Sequence, residues 1–150
     1  MPVSQLQQGT RYLTSRGSTT TIASGPTAAF TIVGTVIVHA LELEITTAVQ
    51  AQTTNLKWIA NPTVGSDTDI CAVVDFNAAA VGTHGNTTGT FATAMVKSAN
   101  GAHVHQAAPT VLTAGTLDLS SSAASTGAYK CSMIWEPLTP NASVRAIAPA

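Results

Sequence analysis

Residues 35–45, TVIVHALELEI, decide the fold class. In an extended chain successive side chains point to opposite faces. Ile37, His39, Leu41, Leu43 and Ile45 are therefore expected to form one apolar face, interrupted by a histidine, that lies in a core. Glu42 and Glu44 point the other way, toward solvent or a partner. The rest of the chain is equally rich in Val, Ile and Thr, and no long window carries the 3.6-residue apolar repeat of an amphipathic helix.

Working outward, the same reading predicts strands at 55–60, 69–76, 90–97, 102–106, 110–119, 128–138 and 143–147. In the segment 128–138, Tyr129, Cys131, Met133 and Trp135 share a face opposite Lys130, Ser132 and Glu136. Trp58 and Trp135 are expected to be core or interface anchors. The segments between the strands are turn formers: NPTVGSDTD, VGTHGNTTG, SANG, SSSAASTG and PLTPN. NAAAV at 77–81 could add one helical turn. About eight short strands without a helical crossover predict an all-β fold, an antiparallel β-sandwich or jelly roll spanning 28–150. Residues 1–27 lack a periodic apolar pattern and read as an extended N-terminal arm whose bulky anchors are Arg11, Tyr12 and Arg16. Such arms become ordered by lying across a neighbour.

Composition narrows the function classes. Charged residues make up 9% of the chain, against roughly a quarter in an average soluble domain, and the formal net charge is −1. A surface of Thr, Ser, Asn and Gln offers little electrostatic resistance to association, which suits a self-associating subunit. The six Lys and Arg are scattered and form no basic run, so nucleic acid is not an expected partner. No apolar run approaches the ~20 residues of a membrane-spanning helix, so no membrane is expected either. Cys71 and Cys131 each sit inside an apolar stretch. They are expected to be buried and reduced, and would pair only if their strands were neighbours.

Chemistry-bearing motifs are few. GAHVHQ at 101–106 places His103 and His105 two apart, on one side of a strand and about 7 Å from each other if that strand forms. A metalloenzyme of the cupin type uses such a pair with an acid and a third histidine farther along. Here no Asp or Glu follows before Asp118 and no histidine follows His105, while His39 and His84 precede the pair. The expectation is accordingly no metal, with His103 and His105 facing solvent or a neighbouring subunit. Asp67 and Asp69 are expected to complete a turn, since the further acids of a calcium loop are missing. No nucleophile motif or phosphate-binding glycine loop occurs, so no catalytic residue, cofactor or enzymatic activity is expected.

Three tokens carry a resemblance: TNLKWIANPTVG, AGTLDLSSSAASTGAYK and WEPLTPNASVRA. Residues 30–148 resemble small structural proteins of tailed-bacteriophage virions, of the capsid decoration (cement) or head-fibre type. The resemblance implies a structural protein on the capsid surface, made in the host cytoplasm, whose partners are the major capsid protein shell and its own copies. A homotrimer would match the junctions between capsomers. Arg11, Tyr12 and Arg16 are then the expected contacts to shell or protomer. The alternatives are a virion-surface module that binds host glycans or belongs to the tail, and a cupin-like metal-binding protein using His103 and His105.

Overall fold

The computed structural model describes residues 10–149. The β-branched runs form twelve strands: β1 (Tyr12–Thr21), β2 (Gly25–Val33), β3 (Val36–Thr47), β4 (Asn55–Pro62), β5 (Thr68–Asp69), β6 (Val74–Asp75), β7 (His84–Asn86), β8 (Val96–Ser98), β9 (Thr110–Leu112), β10 (Gly115–Ser121), β11 (Ala128–Pro137) and β12 (Ser143–Ala146). One sheet has the order β1-β11-β3-β7-β8, with β9 also on β3; the other has β12-β2-β10-β4-β5, with β6 also on β4. Every strand pairing is antiparallel. The fold is therefore all-β, with two antiparallel sheets in a sandwich-like arrangement. β1 to β4 alternate between the sheets, and so do β10 to β12, so the pairings among the long strands join segments distant in sequence.

The inner faces make one core. Leu41, Leu43 and Ile45 of β3 and Tyr129, Cys131, Met133 and Trp135 of β11 lie in it together with Phe30, Leu56, Trp58, Leu117 and Leu119 of the other sheet. Phe30 and Trp58 meet with ring centroids 6.4 Å apart. Each such buried aliphatic or Phe side chain contributes about 1.5–3 kcal/mol, which is where the sandwich gets its stability. Cys71 and Cys131 are both buried and unpaired.

β3 departs from the simple alternation in a way that creates the site. Trp135 pairs with Val38 but Ile134 pairs with Ala40, so His39 has no opposite residue. This β-bulge shifts the phase of the strand. Before it, Val36 and Val38 face the core; after it, Leu41, Leu43 and Ile45 do. His39 is thereby removed from the core face, where strict alternation would put it, and joins Glu42 and Glu44 on the outer face.

Other boundaries also differ from expectation. The 69–76 stretch supplies only β5 and β6, 90–97 only the start of β8, and 102–106 no strand at all. The 110–119 stretch breaks ahead of Gly115, and 77–81 is a turn with Ala78 at φ 53°. Of the N-terminal segment, residues 1–9 lie outside the described residues. Residues 12–21 form the edge strand β1 on β11, and β2 begins at Gly25. No helix among the described residues is long and apolar enough to cross a membrane.

Candidate metal centre

The outer face of the first sheet carries the titratable groups of β3, and the chain returns to cover them. β7 pairs with Glu42–Glu44 on the edge of β3, while β9 pairs with Val36–Val38 farther along that edge. Residues 99–109 connect β8 to β9 across the outer face. Gln106 fastens them. Its Nε2 donates to the carbonyls of Val38 at 2.8 Å and Ala108 at 3.0 Å, and its Oε1 accepts from the Thr87 hydroxyl at 2.6 Å. The amide thus takes the place of backbone pairing in the gap between β7 and β9. Gly89 lets the two loops touch, because a Cβ there would sit 2.1 Å from the Ala108 carbonyl oxygen and its φ is +87°.

This arrangement brings Glu42, His84 and His103 together from three separate elements. One ligand atom from each lies within 4.8 Å of the other two. His103 Nε2 is 2.7 Å from Glu42 Oε2, and His84 Nδ1 is 3.4 Å from Glu42 Oε1. The two imidazoles lie tilted against each other, with centroids 4.9 Å apart and planes 31° apart. The side chains are 17–25% exposed, shielded by the loop but open on one side. Tetrahedral metal–ligand bonds of 2.0–2.1 Å place ligand atoms about 3.3 Å apart, so small rotamer changes would bring this set onto one ion.

Hydrogen bonding leaves the cluster incomplete. The 3.4 Å contact of His84 Nδ1 lacks hydrogen-bond geometry, and this buried atom has no partner. His103 Nδ1 and Asn86 Nδ2 are likewise buried without a partner, and Asn86 stands directly opposite Glu42 in the sheet register. A buried polar atom without a partner costs about 1–3 kcal/mol. Of these, the two imidazole nitrogens can offer a lone pair to an ion, whereas the Asn86 amide nitrogen can only donate a hydrogen bond.

Two imidazole nitrogens and a carboxylate are the donor set of His₂Glu zinc sites and of two-histidine, one-carboxylate iron sites. Three protein ligands leave at least one coordination position for water or substrate. This cluster overturns the expectation of a chain with no metal-binding or catalytic capacity. The expectation failed because the cupin pattern places the acid and the third histidine after the pair, whereas this chain supplies Glu42 and His84 from earlier strands. His105 is not in the group. Its ring stands edge-on to His103 at 6.4 Å, because 102–106 is a loop and does not hold both rings on one strand face.

The remaining site residues lie elsewhere. Arg11 is exposed and lines a cleft with His39 and His105. Tyr12 is half-exposed and stacks on Trp135 with centroids 4.9 Å apart. Arg16 is buried opposite Cys131, with Nη1 donating to the Ala28 carbonyl at 3.5 Å. Around it, burial pushes the Cys131 thiol up to about 12, opposed by the Arg16 guanidinium. Burial and the nearby thiol likewise push the Tyr129 phenol up to about 12. Asp69 pairs with Lys57 at 2.7 Å on the surface, and Asp67 is exposed in a turn-rich segment.

No protein family, curated protein or solved structure matches this chain.

Proposed function

We propose that this chain is a metal-binding β-sandwich protein whose Glu42, His84 and His103 hold one divalent transition-metal ion with a coordination position left open. The convergence of these three ligand atoms within 4.8 Å carries the reading. An imidazole-rich set with a single carboxylate favours Zn²⁺ or Fe²⁺ over Mg²⁺ or Ca²⁺, which prefer oxygen ligands. The ion would act as a Lewis acid at its open position, polarising a bound oxygen or lowering the pKa of a bound water. Glu42 also ties the loop to the sheet through His103, so the same ion would pin residues 99–109 in place. Calorimetric titration with Zn²⁺ tests the reading. One site per chain is expected in the wild type, with affinity falling at least a hundredfold in Glu42→Gln, His84→Ala and His103→Ala. Equal affinity in wild type and all three variants would remove it.

A second reading keeps the tailed-phage virion role: a capsid decoration protein, jelly-roll-like and trimeric, bound to the shell. The exposed apolar side chains at the β1 edge favour it, since Leu138 is 54% exposed beside the Tyr12–Trp135 stack and Leu13 is 69% exposed on the other face of β1. The alternation of β1 to β4 and of β10 to β12 between the sheets supports the jelly-roll form. Sedimentation of the protein with purified phage shells tests this role, and a protein that stays monomeric and unbound would end it. The two readings are compatible, because the metal centre and this patch occupy separate residues.

A further inference from the structure

Between the two sheets, at the end where the chain crosses from β9 to β10, lies a pocket of about 170 Å³. Its origin is visible in the strand register. Across the second sheet at this level the facing residues are Ile32, Gly115 and Pro62, so the middle strand offers no side chain to the space between its neighbours. Of the lining residues, Ile32, Ile70 and Leu112 are buried, whereas Phe91 and Val111 are 45% and 53% exposed and flank the opening. The pocket shares no residue with the metal centre.

We infer that this pocket is a binding site for a small, neutral, largely apolar molecule the size of one six-membered ring, carrying a hydroxyl or carbonyl group. The inference is independent of the metal-binding reading.

The lining sets the class of ligand. No charged side chain lines the pocket, so an ion would give up its hydration there without meeting a counter-charge. The polar side chains of the lining belong to Asn61, Thr68, Thr113 and Thr116, all neutral. A few neutral donors and acceptors in an otherwise apolar lining suit a ligand with a single polar group. Volume sets the size. A dry apolar cavity of about 150 Å³ accommodates a benzene ring, whereas drug-sized ligands occupy about 300 Å³ or more. Phe91 and Val111 argue for an occupant, because a bound apolar ring would withdraw both side chains from water.

Fluorine NMR of 4-fluorophenol titrated with the protein tests this. A saturable shift with a dissociation constant of about 1 mM or tighter is expected, and 4-fluorobenzoate should bind at least about tenfold more weakly, since its charge finds no partner. Ala60→Leu, which enlarges a side chain of the lining, should weaken 4-fluorophenol about tenfold, and Phe91→Ala about threefold or more. Phe91 is nearly half exposed, so its truncation spares the core and carries the test even where Ala60→Leu disturbs the fold. Absence of a saturable shift, or equal affinity in wild type and Phe91→Ala, overturns the inference. Equal affinity for 4-fluorobenzoate overturns the neutral class of ligand. Self-association that Phe91→Ala abolishes, without binding of 4-fluorophenol, would assign the opening to a second copy of the chain and overturn it as well.

Discussion

Gln106→Ala should damage stability and metal affinity together, because one side chain fastens the loop that delivers His103. The substitution removes the donations to the Val38 and Ala108 carbonyls and the bond accepted from the Thr87 hydroxyl. At about 1 kcal/mol net for each hydrogen bond, the loss is about 2–3 kcal/mol. Thr87 is buried, which holds the figure toward its upper end. With a urea slope of about 2 kcal/mol/M, the unfolding midpoint should fall by about 1–1.5 M. A released loop also spends less time with His103 beside Glu42. If the competent arrangement drops to about a tenth of the population, apparent metal affinity drops about tenfold. Urea melts followed by Trp fluorescence give the first quantity, and competition against a chromophoric Zn²⁺ chelator gives the second. A variant with the wild-type midpoint would refute the clamp. A destabilised variant with undiminished Zn²⁺ affinity would refute the link between the clamp and the site.

Stability should fall at high pH. The Cys131 thiol is raised from 9.0 and the Tyr129 phenol from 10.0, each to about 12. The folded chain then holds protons that the unfolded chain has released, so the contribution is complete below about pH 9 and erodes above it. Stability should begin to fall above about pH 9 and fall more steeply above about pH 10, where the phenol joins the thiol; urea midpoints unchanged between pH 8 and 11 would contradict it. Gly85→Ala, between His84 and Asn86, should cost about 1–3 kcal/mol by overpacking, since its Cβ would stand 2.8 Å from the Phe76 ring. Thermal melts measure that cost, and an unchanged melting temperature would mean that the core beneath the site yields. Saturating Zn²⁺ at about 100 times Kd should stabilise the wild type by about 2.7 kcal/mol and Glu42→Gln by much less, which the same melts resolve.

Much of the fold was legible in TVIVHALELEI and in the 128–138 strand. Alternation of β-branched and polar residues is a local property, and β3, β4, β11 and β12 formed close to where it pointed. The segments 69–76 and 90–97 carry the same composition, yet are mostly loop because only short pieces of them find an edge to pair with. The His39 bulge was not legible, since a bulge arises from pairing with β11 and leaves no mark in the composition of β3. The centre was half legible. His103 stood out through its spacing from His105, but its true partners come from β3 and β7, at sequence separations of 61 residues for Glu42 and 19 for His84. A usable signal was present in Glu42 and Glu44. Two acids alternating with buried Leu and Ile, in a chain with only seven Asp and Glu, mark an outer sheet face that something basic or metallic should meet.

The central claim is that Glu42, His84 and His103 share one ion. Anomalous diffraction from crystals grown with Zn²⁺, collected on both sides of the zinc absorption edge, tests it most directly. The account predicts one anomalous peak per chain at bonding distance from a Glu42 oxygen and from one nitrogen each of His84 and His103. Fully occupied zinc elsewhere on the surface, with Glu42 still hydrogen-bonded to His103 and no peak between them, would contradict it.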